Sequence, residues 1–175
     1  MIVRDSALQD IPAIAAIYRP AVLHGLASFE LDPPDEAEMG RRRAHVLSEG
    51  FPHLVAEQDN AVLGYAYAGP YRARPAYRFT VENSIYVAPD RQGQGVGRAL
   101  LAALIARCEA LGLRQMIAVI GDSANLASIR THEAAGFLRV GTLPDIGWKH
   151  GRWVDSVLMI RPLGPGATEP PPPDR

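Results

Sequence analysis

The residues that could do chemistry gather around one short segment, QGQGVG at residues 92–97. A β-branched and aromatic run from Phe79 to Val87 precedes it, and an alanine- and leucine-rich helical pattern follows to about Leu111. A strand, then glycines, then a helix start is an arrangement that holds an anion. Free N–H groups of the first helical turn and the positive end of the helix dipole face the ligand, and glycine lets it approach the backbone. Read as G-x-G-x-x-G, the dinucleotide fingerprint, Gly93 and Gly95 fit but Arg98 stands at the third glycine. Asp122 follows the next strand as the fingerprint's acid would, yet about ninety residues precede the motif and no second mononucleotide-binding half follows. A Walker A loop is excluded, because the lysine and hydroxyl pair it needs is missing. A glycine-rich connection with no ligand stays open on these residues alone.

The other reactive side chains each have a plain reading. Glu82 by itself is a surface carboxylate on a strand. His132, in THEAAGF, would cap or pack a helix; with Glu133 it begins H-E-x-x-H, but Gly136 stands where the second histidine belongs, so that zinc site is rejected. Arg72 and Arg74, two residues apart, would share one side of an extended loop, where guanidinium forks bind a carboxylate or phosphinate bidentately. Their plain role is solubility, which is also how Arg41-Arg42-Arg43 reads, as a solvated helix face. Cys108, the single cysteine, sits in the helical pattern as a small hydrophobe and has no partner for an internal disulfide.

The elements that must position these groups fit one domain at 1–162, with a proline-rich, mobile tail lacking apolar anchors at 163–175. With 175 residues, 47% of them hydrophobic and 21% charged, the chain is an ordinary globular sequence. A net charge of −1 gives no global field for nucleic acid, so any anion site is local. MIVRDSALQD has no apolar leader, and no stretch reaches the roughly eighteen apolar residues of a membrane span, so a soluble, cytoplasmic protein is expected. Ser6-Ala7-Leu8-Gln9 fits a capping box opening a first helix to the early twenties, although Pro12 would move its start to Asp10 or kink it. Asp35-Glu36 opens a second helix ending at Gly50, and His53–Glu57 with Val62–Ala68 reads as a hairpin about Asp59-Asn60. After the glycine segment and its helix come a strand at Gln115–Ile120 and a helix capped at Asp122-Ser123 or Asn125. Gly136 closes that helix, and strands at Leu138–Leu143 and Trp153–Ile160 finish the order β-α-α-β-β-β-α-β-α-β-β. That order specifies an α/β or α+β single sheet in which only one or two crossovers demand parallel pairing.

Context adds a third owner for the glycines: Gln92-x-x-Gly95-x-Gly97 is the Q/R-x-x-G-x-G/A signature of a coenzyme A pyrophosphate loop. Residues 84–137, ending in NLASIRTHEAAGF, resemble the core of the GNAT superfamily of N-acetyltransferases, with His132 where tyrosine is commoner. GPYRARPAYRFTVENSIYV at 69–87, ASFELDPPD at 27–35 and GWKHGRWVD at 147–155 resemble the phosphinothricin and methionine sulfoximine N-acetyltransferases, except for Tyr71, where tryptophan is usual. The resemblance implies a mixed, mostly antiparallel sheet whose fourth and fifth strands are splayed by a bulge, flanked by helices. It implies acetyl-CoA as cosubstrate, no metal, a small-molecule amine acceptor, direct transfer in a ternary complex, a detoxifying role and a homodimer. Carried onto this chain, Gln92, Gly93, Gln94, Gly95, Val96, Gly97 and Arg98 would hold the pyrophosphate, Ile85, Tyr86 and Val87 would pair with pantetheine, and Asn125 and Ser128 would close that site. Glu82 would be the base and His132 the proton donor to the thiolate, with Phe29, Tyr71, Arg72, Arg74, Thr80 and Glu82 around the acceptor. Another amine (a polyamine, a drug, a protein N-terminus) or a non-catalytic coenzyme A module are the alternatives.

Overall fold

A computed structural model describes residues 1–171; the final residues 172–175 of the expected tail lie outside the described residues. In chain order the elements are β1 (Ile2–Asp5), α1 (Ile11–Leu23), α2 (Glu36–Ser48), β2 (His53–Gln58), β3 (Ala61–Pro70), β4 (Thr80–Val87), α3 (Val96–Ala110), β5 (Gln115–Gly121), α4 (Leu126–Ala134), β6 (Leu138–Lys149) and β7 (Arg152–Pro162). The strands form one sheet in the order β1-β2-β3-β4-β5-β7-β6. Only β4 and β5 run parallel; every other neighbouring pair is antiparallel.

Local chemistry explains most of the boundaries. Asp59 and Asn60 both take positive φ, 52° and 62°, which is the geometry of the tight turn that joins two right-twisted strands. Asp35 caps α2, its Oδ1 accepting from Glu38 N–H at 2.7 Å. Side chains then sort by period. Leu54 and Ala56 pack with Leu100, Leu101 and Leu104 of α3 on one face of the sheet. Val55 and Tyr65 pack with Ile14, Tyr18 and Val22 of α1 on the other.

Four expectations need correction. The first helix does not open on a Ser6 capping box: Ser6 Oγ accepts from Arg43, and α1 begins at Ile11, with Pro12 in the first turn where its missing N–H costs nothing. The last hairpin is longer than expected, because β6 continues past Leu143 to Lys149 through an irregularity between Leu143 and Gly147. Leu163 is fully buried in the α3-side core, so the tail segment does have an apolar anchor. Finally, no bulge parts β4 from β5. The β3–β4 register is unbroken from Val81 to Val87, while the parallel ladder stops at Asn83 and Ala118 and β5 stays with β7 to Gly121. The result is a notch between Ser84–Val87 and the end of β5, beside the start of α3.

Candidate active site

That notch opens into a cleft of about 1150 Å³. Its strand wall is Ile85, Tyr86 and Val87, its end is the loop Gln92 to Arg98, and Asn125 and Ser128 close it from α4. At Gly93 and Gly95 φ is +72° and +82°, a backbone that L side chains rarely adopt, and open space surrounds both α-carbons. The first helical carbonyl in use is that of Gly95, which accepts from Ala99 N–H at 3.0 Å. The N–H groups of Val96, Gly97 and Arg98 thus have no partner within the helix and point from its positive end. Arg91 and Arg98 add charge at the same mouth. Along the notch, residues 84–87 have no ladder partner on the β5 side, leaving backbone donors and acceptors for an extended amide-bearing ligand. A diphosphate at one end and a peptide-like arm along a strand is what these groups fit.

A second cavity, of about 420 Å³, meets the first where Ile85, Asn125, Ser128 and His132 line both. Phe29, Glu30, Glu82, Asn83, Ser84 and Ser156 are among its other lining residues. Glu82 has no hydrogen-bonding or ion-pairing side chain among the described residues, and burial pushes its carboxyl above the usual carboxylate range. His132 is buried at the junction, its ring edge-on to Phe137 at 5.0 Å between centroids. Nδ1 lies 2.8 Å from the Ser128 carbonyl oxygen and Nε2 lies 3.1 Å from Asn83 Oδ1. Burial draws the imidazole pKa down, opposed by the Ser128 contact. Phe29 is seated on two glycines: a Cβ on Gly147 would come within 2.7 Å of its Cδ2, and one on Gly121 within 3.2 Å of its Cε1.

All the residues expected at the donor site therefore line the large cleft, and Glu82, His132 and Phe29 come together in the smaller cavity. Tyr71, Arg72, Arg74 and Thr80 line neither. Arg72 lies over the Tyr71 ring at 5.2 Å and the Tyr77 ring at 6.0 Å, on the loop before β4. Sequence reasoning missed a polar chain beneath the smaller cavity. Arg42, read as part of a solvated face, donates to Glu30 Oε1 at 2.6 Å; Tyr18 Oη donates to the same oxygen at 2.9 Å and lies 2.8 Å from Ser28 Oγ; buried Lys149 donates to the Ser28 carbonyl at 2.6 Å. Burial alone would raise the Glu30 carboxyl, but the Arg42 and Tyr18 hydrogen bonds hold it below the usual range. The acid four residues before Arg42 (Glu38) was visible in the sequence; Glu30, twelve residues away, was not a pairing that helical spacing could reveal. Among the described residues no cluster of histidine, cysteine and carboxylate side chains could hold a metal ion.

A parallel pair that parts beside a glycine-loop helix, with a histidine where two cavities meet, defines an acyl-transfer scaffold. Residues 16–137 match the Acetyltransferase (GNAT) family, and the chain belongs to that family. It is an N-acetyltransferase. More particularly, it is 58% identical over 167 residues to the phosphinothricin N-acetyltransferase of Alcaligenes faecalis, covering 95% of this chain and 83% of that one. It is 41% identical over 169 residues to the L-methionine sulfoximine/L-methionine sulfone acetyltransferase of Pseudomonas aeruginosa, covering 96% and 98%. The crystal structure of a phosphinothricin acetyltransferase from Sinorhizobium meliloti in complex with AcCoA superimposes with a TM-score of 0.96 at 48% identity, covering 99% of this chain and 94% of that one.

Proposed function

We propose that this chain acetylates the amine of a small amino-acid analogue (phosphinothricin, methionine sulfoximine or methionine sulfone) with acetyl-CoA, by direct transfer in a ternary complex. The observation that carries the reading is the junction of the two cavities at His132, with half-buried Glu82 on the acceptor side. Acetyl-CoA supplies an acyl group on a good thiol leaving group. The chain's own part is to bind and to move protons. The N–H groups at the start of α3, with Arg91 and Arg98, would neutralise the diphosphate, and the free edge of residues 84–87 would align the pantetheine arm. An α-ammonium has a pKa near 8, so a carboxylate at Glu82 with raised basicity, acting directly or through water, needs only to assist its deprotonation. His132 would return a proton to the thiolate.

Arg72 and Arg74, on the loop between β3 and β4, are proposed to engage the acceptor carboxylate, and Arg72→Ala should then raise KM for carboxylate-bearing acceptors selectively. A homodimer through the β6 edge is also proposed. Leu138, Val140, Ile146, Trp148 and Trp153 are all exposed on the β6–β7 hairpin, with the two tryptophan rings in contact, and sedimentation at micromolar concentration should return twice the monomer mass. The expected location is the cytoplasm, where acetyl-CoA is available. Thiol release from acetyl-CoA, followed across a panel of the three analogues, ordinary amino acids and polyamines, tests the main reading. Turnover confined to polyamines, or no turnover with any amine, would overturn it.

A further inference from the structure

The surroundings of His132 ask for more protons than a neutral imidazole carries. Nδ1 faces a carbonyl oxygen, that of Ser128, at 2.8 Å, so this nitrogen needs a hydrogen. Nε2 faces Asn83 Oδ1 at 3.1 Å, which is also an acceptor only. A neutral ring has one N–H and would set two lone pairs against each other at one of these contacts. Turning the Asn83 amide over gives Nε2 a donor, but it removes one elsewhere. Asn83 Nδ2 donates to the Ile117 carbonyl at 3.1 Å, and the turned amide would press Oδ1 against that oxygen. Both Asn83 and His132 are buried, 6% and 5% exposed, so a mismatch at either place is costly. One state satisfies all four atoms: the imidazolium.

We propose that Asn83 is a positioning residue that keeps a proton on His132 Nε2, so that the ring rests as an imidazolium ready for the departing thiolate. The proposal rests on the reading of His132 as proton donor. When the acceptor nitrogen bonds to the acetyl carbon, the C–S bond breaks and its electron pair goes to sulfur, which takes the Nε2 proton out of its 3.1 Å hydrogen bond to Asn83 Oδ1. The ring is left neutral with Nδ1–H on the Ser128 carbonyl, and its Nε2 lone pair now opposes Asn83 Oδ1. That repulsion favours reprotonation, and the proton shed by the acceptor ammonium is enough to restore the starting state. Asn83 is the last residue of β4 paired to β5 before the notch, so the strand that ends the ladder also aims the amide. Burial, the larger effect, works against the charged ring and the Ser128 carbonyl works for it; Asn83 Oδ1, 3.1 Å from Nε2, is the second oxygen that favours a proton there. The charged and titratable groups on the elements around the ring are Glu82 and Tyr86 on β4, Arg98, Arg107, Cys108 and Glu109 on α3, and Arg130 and Glu133 on α4 itself.

Nitrogen-15 NMR of the imidazole in the full chain without acetyl-CoA, from about pH 5 to about pH 9, reads the two nitrogens directly. In the wild type both should carry hydrogen at neutral pH. Asn83→Leu should lower the His132 pKa by at least about one unit, while Asn83→Asp should keep the imidazolium or raise its pKa. The basic limb of kcat against pH should move the same way in each variant, down for leucine and up for aspartate. A wild-type ring that is neutral at pH 7, or a titration unchanged in Asn83→Leu, overturns the proposal whatever the activity; the wild-type spectrum decides this even where the leucine variant does not fold. NMR shifts as expected with an unmoved kcat profile would leave Asn83's role standing and remove His132 as the proton donor.

Discussion

Glu82 stands at a strand position where a carboxylate is ordinarily solvated, yet it faces a cavity and has no cation beside it. Desolvation favours its neutral form, so the folded pKa is raised and the basic form is lost as pH falls through that raised value. Glu82→Gln should reduce kcat by about 10²–10⁴-fold, leave KM for acetyl-CoA near the wild-type value and erase the acidic limb of the pH–rate profile. A glutamine variant with wild-type kcat would end its assignment as the base. The residue type alone could not have singled out Glu82; its T-V-E setting and the family resemblance did. Arg42 shows the converse. Its helix spacing explained Glu38 and concealed Glu30, since a contact between α2 and the loop after α1 exists only once the chain has folded.

At the scale of elements, the local signals were strong where one residue sets the geometry, as at Asp35, Asp59-Asn60, Gly95 and Asn125. The β6 strand was only half legible. Pro144 and Asp145, with a φ of 51° at Asp145, form an irregularity in the ladder, and pairing to β7 resumes at Gly147 and extends the strand to Lys149. Nor does sequence reveal that Gly147 is a seat. Its missing side chain is the space that Phe29 fills from the loop after α1, so one glycine on β6 sets one wall of the smaller cavity, the proposed acceptor site. Gly147→Ala should push the ring toward the cavity, raising KM for the amine severalfold while KM for acetyl-CoA stays the same, with a loss of about 1–3 kcal/mol in stability from overpacking. Paired substitution with Phe29→Leu should restore much of both, which steady-state kinetics and thermal melts would show. Equal changes in both KM values would instead mean that Gly147 acts on the sheet as a whole.

Across the whole molecule, the sheet divides the interior into two cores, and the α1 side contains a row of rings whose burial links stability to pH. His53, 4% exposed, stacks at 5.9 Å from Tyr65 and 5.5 Å from Tyr67, and its Nδ1 has no hydrogen-bond partner. Burial lowers its pKa from 6.5 to about 4, with the Arg43 charge acting in the same direction and Asp10 opposing. Below pH 6.5 the unfolded chain takes up a proton at His53 that the folded chain refuses. The stability His53 contributes is therefore complete above the unfolded value and is lost as pH falls toward the folded one. Over that window the loss amounts to about 3 kcal/mol at most, equivalent to a Tm decrease of up to about 10 °C for a chain of this size. Asp10, held low by its hydrogen bond from Arg4 at 2.7 Å, titrates below its usual 3.8 and acts only at still lower pH. His53→Phe keeps the stacked ring and removes the titration. Thermal melts of wild type and variant between about pH 7 and pH 4 should therefore diverge, the wild type losing stability and the variant staying flatter. Parallel curves would show that His53 takes up its proton as readily in the folded as in the unfolded chain, and would place the acid sensitivity of the chain in its carboxylates instead.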